Sequence, residues 1–141
     1  AHAFVHYDRS IFQQSAPPET YRAKEKILYR YISNTPVFAY DDRQMLPLNS
    51  CNVLIPQIDG LDIKYILAIL NSSVAEFFFS KTFNSVKMLK SHIEALPIPV
   101  PTAQQQTKII SLVDEILNNP TEATIIQNEL NSIVEKLYNL A

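Results

Sequence analysis

Along the first part of the chain apolar and polar positions alternate by twos, and from residue 59 onward they recur by threes and fours. KILYRYIS (26–33) sets Ile27, Tyr29 and Tyr31 on one side and Leu28, Arg30 and Ile32 on the other, the period of a half-buried strand. Residues 34–36 form a turn signal, VFAYD reads as a second strand, and Asp41, Asp42 and Arg43 make a polar loop tip. Two short strands are expected at 45–48 and 52–55, with Pro47 and Pro56 restricting where a sheet can hydrogen-bond. Up to Thr20 the chain shows no period, and Pro17 and Pro18 mark a turn or loop.

After Asp59, Ile63, Ile66, Leu67, Leu70, Val74, Phe77 and Phe78 fall at helical spacing and predict one amphipathic face. Asn71, Ser72 and Ser73 divide that stretch into two helices, because their side chains compete for backbone hydrogen bonds. KTFNSVKMLK (81–90) is basic and expected to be irregular. LPIPVP (96–101) must be extended, since each proline fixes its own φ and disfavours helix in the residue before it. It runs without a glycine into a helix start, where Thr102 and Gln105 have capping-box spacing ahead of Ile109, Leu112, Val113 and Ile116. Asn119, Pro120 and Glu122 predict a second helix start. Beyond it Ile126, Leu130, Ile133, Leu137 and Leu140 repeat as a short heptad seam, which can close on the preceding helix or on a helix elsewhere.

These periods predict an α+β chain: a small β-rich unit with packed helices, an extended Pro-rich strand and a C-terminal helical hairpin. The expected division is residues 1–101 and 102–141.

Composition changes this picture in three ways. A single glycine, Gly60, removes every glycine-rich cradle for a phosphate, a dinucleotide or a methyl donor. A single cysteine, Cys51, cannot close an internal disulfide, and it reads as a small buried apolar residue in a reducing cytoplasm. The net charge of −2 conceals an asymmetry. Up to Lys90 there are ten Lys/Arg and eight Asp/Glu; beyond it there are two and six. No apolar run approaches the roughly 20 residues of a membrane span, so no membrane partner is expected. The opening residues lack a basic leader and an apolar signal core, and the chain is expected to be a fragment of a longer protein.

Candidate chemistry is confined to basic segments. Residues 20–31 interleave Arg22, Lys24, Lys26 and Arg30 with tyrosines, either a face for phosphates and bases or a solvated strand edge whose lysines deter aggregation. Lys81, Asn84, Lys87 and Lys90 offer phosphate contacts and an adenine-reading amide, or an ordinary surface loop. Arg43 suits guanine, or an ion pair with Asp41 or Asp42. His2 and His6 have ligand spacing but no acid arranged with them, so no metal site is expected, and His92 reads as structural. The adjacent carboxylates Asp41/Asp42 and Asp114/Glu115 point apart, no serine lies in a nucleophile elbow, and no active site is evident.

Taken in order, KILYRYISNTPVFAYDDRQMLPLNSCNVLIP, LDIKYILAILNSSVAEFFF and LKSHIEALPIPVPTAQQQTKIISLVDEIL resemble the TaqI-like C-terminal specificity domain, over roughly residues 20 to 118. That family is the DNA target-recognition module of adenine-specific methyltransferases and fused type IIG restriction–modification enzymes. The closing segment is similar to the specificity subunits of type I restriction systems, of which the chain is alternatively one half. The resemblance implies a non-catalytic, cytoplasmic bacterial module that binds double-stranded DNA and serves a methyltransferase or nuclease domain of the same or a partner chain. It implies no cofactor in this fragment, with S-adenosylmethionine and Mg2+ belonging to the parent enzyme. On this reading LPIPVP is a stiff strut, the basic residues above meet DNA, and Ile126, Leu130, Ile133 and Leu137 dock on the partner domain. The competing reading makes the heptad helix a protein-interaction module and the basic loops merely solubilising.

Overall fold

The structure, a computed structural model, describes residues 4–6, 12–13, 23–32, 35–45, 51–82 and 90–140. In chain order the elements are β1 (Phe4–His6), β2 (Phe12–Gln13), β3 (Lys26–Ile32), β4 (Thr35–Asp41) and β5 (Asn52–Pro56). There follow α1 (Ile63–Leu70), α2 (Ser73–Thr82), α3 (Lys90–Ala95), β6 (Pro97–Pro99), α4 (Ala103–Asn118), a 3-10 turn (Pro120–Glu122) and α5 (Ala123–Leu137). The chain is α+β, as the two hydrophobic periods require.

Four strands form one sheet in the order β2-β5-β3-β4, all pairs antiparallel, which leaves β4 at an edge. Alternation along β3 and β4 turns Ile27, Tyr29 and Phe38 into the core, where the Tyr29 and Phe38 rings stack 5.7 Å apart. Against that face lies α1, whose residues Tyr65 to Leu70 are all buried. A helix buried on every side needs cover on every side. The sheet supplies part of it and α4 supplies more, through Ile109, Leu112 and Val113. Gly60 has φ +81 in the turn ahead of α1, a conformation strained for any other residue, and Asp62 caps the helix by accepting from the Lys64 N–H at 2.8 Å.

Two expected helix starts differ in outcome. The Thr102–Gln105 capping box forms reciprocally. Asn119 makes no side-chain cap bond; Pro120 opens a 3-10 turn instead, and α5 starts three residues later. The seam expected from heptads also shifts. Its buried members are Ile126, Leu130, Val134 and Leu137, with Ile133 half-buried and Leu140 exposed. This seam closes on α4 and α2 of the same chain. Ile126, Leu130 and Leu137 are therefore core residues, and the expectation that they dock on a partner is corrected: a side chain already buried has no surface left to offer.

The face expected from Val74, Phe77 and Phe78 is corrected as well. The axes of α1 and α2 meet at 57°, which turns the face. Phe79 is buried, Phe78 half-buried, and Phe77 is 63% exposed. Three consecutive phenylalanines, each rotated by about 100° on a helix, cannot all face one way.

LPIPVP is extended as predicted, but it is no free-standing strut. Ile98 is fully buried, and β6 pairs antiparallel with β1, Val5 opposite Ile98. Successive residues of a strand send their N–H and C=O groups to opposite sides. If Ile98 turns towards β1, Pro97 and Pro99 turn away from it, at the two positions where a missing N–H costs nothing. Their carbonyls accept from the Tyr138 and Tyr65 hydroxyls of the helical layer. The strands β1 and β2 fall in a stretch where no period was visible, because two or three residues are too few to show one. The strand expected at 45–48 lies almost wholly outside the described residues, and Met45 itself is not in a strand.

One cluster of buried side chains runs from Ile27 and Leu54 through α1 and Ile98 to Leu112, Leu130 and Leu137, crossing the expected division at 101/102. No single helix among the described residues is long and apolar enough to cross a membrane.

Candidate nucleic-acid interface

The β3–β4 hairpin has two unlike faces. Residues directly opposed in an antiparallel pair share a face, so Lys26 with Asp41, Leu28 with Ala39 and Arg30 with Val37 all lie on the side away from α1. Arg30, Val37 and Ala39 are exposed there. At the other end of the same face Lys26 is fully buried and donates to Asp41, itself 3% exposed. The expectation that Lys26 meets DNA is thereby corrected. An ammonium buried against a carboxylate is committed to it, because leaving would strand both charges in a poorly solvating interior.

That pair has a second consequence. Asp41 also accepts from the backbone N–H groups of Arg43 and Met45, each at 2.9 Å. Burial works against its charge, but the Lys26 hydrogen bond and the two N–H groups outweigh it and hold its carboxyl below the usual range. The Asp41 carboxylate thus organises residues 42–45, in which Gln44 takes a left-handed φ of 55° and Arg43 is exposed. Two residues before Lys26, Lys24 is exposed as well, next to Glu25, which accepts from the Tyr40 hydroxyl at 2.6 Å. Tyr40 is raised far above the ordinary phenol value by burial, then by that hydrogen bond and by the charges of Glu25, Asp42 and Asp62. Lys64 lies 5.3 Å from the Tyr40 ring centroid and bonds Asp114 of α4 at 2.5 Å. The Asp114 hydrogen bond raises Lys64 against the effect of burial.

The hairpin therefore carries Lys24, Arg30 and Arg43 as exposed cations, Lys24 and Arg43 close in sequence to the Lys26–Asp41 rung and Arg30 four residues further along β3. Lys81 is carried elsewhere, on the last turn of α2, with its ammonium 5.8 Å from the Phe77 ring centroid. This exposed aromatic–cation pair at i, i+4 was missed as a surface feature, although the Phe-Phe-Phe run carried its signal. Arg22, Asn84 and Lys87 lie outside the described residues, as does His2. Of the stretch 81–90 expected to be irregular, residues 81–82 end α2 and Lys90 begins α3, which corrects the expectation there; residues 83–89 lie outside the described residues. His92 is buried on α3, in keeping with a structural residue. Cys51 is half-buried, and burial is the main reason its thiol is raised.

The model of the TaqI-like C-terminal specificity domain matches residues 1–98. The match takes in the first twenty residues, beyond the resemblance at roughly 20 to 118, and stops within β6. It contains the four-stranded sheet, β1, α1 to α3 and every cation of the hairpin. The chain belongs to the family of TaqI-like C-terminal specificity domains.

Proposed function

We propose that this chain reads the sequence of double-stranded DNA for a bacterial restriction–modification enzyme and contributes no chemical step itself. The specificity role comes from its family. The observation that carries the finer reading is the hairpin: Lys24, Arg30 and Arg43 are exposed on one supersecondary unit, and the loop bearing Arg43 is tied to a buried ion pair. Cations on a preformed loop lose little freedom when they meet phosphates or a guanine edge. Lys81 and the exposed ring of Phe77 supply a further contact, and Arg22, Asn84, Lys87 and Lys90 extend the same proposal. The reaction, with S-adenosylmethionine and Mg2+, belongs to a methyltransferase or nuclease body in the same or a partner polypeptide.

The test is the salt dependence of binding to a cognate duplex by the intact protein. If Lys24, Arg30, Arg43 and Lys81 each neutralise one phosphate, log K falls against log salt with a slope of about −3 to −4. Arg43→Ala then either flattens the slope by about 0.9, marking a phosphate contact, or costs about 1–3 kcal/mol at one base position, marking base readout. A slope near zero removes the proposal.

A further inference from the structure

At the edge of the sheet, β4 makes an unusual contact. The N–H of Phe38 donates to Oδ1 of Asn71 at 3.3 Å, and Nδ2 of Asn71 donates back to the Phe38 carbonyl at 3.0 Å. A carboxamide has the donor and acceptor of a peptide group, so Asn71 stands in for one rung of a neighbouring strand. Edge strands ordinarily leave such groups open to another chain. Pro36, which occupies the same side of β4 two residues earlier, has no N–H to offer.

Asn71 is itself held. It is the C-cap of α1, its own N–H donating to the Leu67 carbonyl at 3.0 Å. Its carbonyl accepts from Nε2 of Gln127 on α5 at 3.4 Å. Gln127 also donates to Oδ1 of Asn131 at 3.1 Å, and that oxygen accepts from the Ser73 N–H at 3.0 Å. A continuous polar chain therefore runs from the middle of β4 through the α1–α2 junction to α5. On the strand side, Phe38 lies opposite Tyr29, and the neighbouring rung holds Arg30.

We infer that Asn71 is a positioning residue for DNA recognition: it latches the cation-bearing hairpin to the helical layer and so fixes where Arg30 and Arg43 meet the duplex. This rests on the DNA-reading function proposed above, but the latch itself is measurable without DNA. Among the described strands β4 is the last of its sheet, and the latch predicts slow hydrogen exchange at the Phe38 amide of the intact protein. Asn71→Ala loses both bonds and is expected to speed exchange at Phe38 by about tenfold or more, leaving the Ile27 and Leu54 amides of the sheet interior slow. Asn71→Leu, close to the same volume but able neither to accept from the Phe38 N–H nor to donate to its carbonyl, tests the same point should the alanine variant fail to fold.

The second readout is discrimination between cognate and altered duplexes at fixed salt. Loss of positioning lowers that ratio by about tenfold while the salt slope, set by the number of cations, is kept. Unchanged exchange at Phe38 overturns the latch. Faster exchange with undiminished discrimination overturns the positioning role and leaves Asn71 a cap on a sheet edge. A wild-type protein that shows a slow Phe38 amide but prefers no DNA sequence overturns the proposed function, and the positioning role with it.

Discussion

At the scale of single residues, the buried pair Lys26–Asp41 decides more than any exposed cation. A surface ion pair is worth little, but removing one partner of a buried pair leaves an uncompensated charge and costs about 3–5 kcal/mol. Asp41→Ala should therefore lower the denaturation midpoint sharply and also free the loop bearing Arg43. The double replacement of Lys26 by Met and Asp41 by Leu should recover most of the stability, because apolar residues of similar volume substitute for a buried pair at small net cost. The loop should remain loose, since neither new side chain can accept from the N–H groups of Arg43 and Met45. Recovered stability with weakened DNA binding would separate the two roles. Acid gives an independent check. Folded Asp41 binds its proton less readily than the unfolded chain does. Its contribution is thus present in full above the ordinary carboxylate value near ~4, and is lost as pH falls through the lowered folded value. Wild type should lose stability across that acid window more steeply than Asp41→Asn, as read from urea midpoints at stepped pH.

At the scale of elements, β6 shows how a sequence of prolines can serve as a strand inside a fold. Ile98→Pro should be far more damaging than Pro97→Ala. A strand whose Pro97 and Pro99 carbonyls accept from the helical layer turns the Ile98 N–H towards β1, and only the first substitution removes a donor there. Tyr65→Phe should cost about 1–3 kcal/mol by leaving the buried Pro99 carbonyl unsatisfied. Burial also raises Tyr65 and Tyr138 well above the ordinary phenol value. For an acid held neutral in the fold, stability is present below the unfolded value near ~10 and declines as pH rises beyond it. Thermal midpoints of wild type should therefore drop on the alkaline side more than those of the Tyr65→Phe variant. Extension of LPIPVP, the break at Asn71 and the capping box were all legible, because each is set by a residue's own backbone or by partners within a few positions. The direction in which Lys26 points was not legible. Alternation puts it on the same side as Leu28 and Arg30 without saying which side is buried, and only Asp41, fifteen residues on in sequence, gives its ammonium a buried partner. The same holds for Ile126, Leu130 and Leu137: period identified a seam, and the identity of its partner depended on how α4 and α5 close on α1 and α2.

At the scale of the whole molecule, the family match ends at residue 98 but the core does not. The C-terminal helices bury Ile109, Leu112, Val113, Ile126, Leu130, Val134 and Leu137. At about 1.5–3 kcal/mol for each buried side chain these contribute on the order of 10–20 kcal/mol. Part of that arises where the two helices meet each other and would survive in an isolated hairpin. Even half of it equals the entire net stability of an ordinary domain, about 5–15 kcal/mol. Polar ties add to this attachment: Gln106 of α4 bonds both the Gly60 carbonyl at 3.1 Å and the Asp62 N–H at 2.7 Å, and Lys64 bonds Asp114. Residues 1–101 produced alone should accordingly fail to fold cooperatively, because α1 would expose the side from which α4 has been removed and the Pro97 carbonyl would lose Tyr138. The full chain should unfold in one transition, with helix and tertiary signals coincident. Two separated transitions, or a sharp melt from the 1–101 fragment, would instead show the helices to be an appended spacer. The single transition matters for recognition, since a duplex pulling on the hairpin would then be resisted by the whole core.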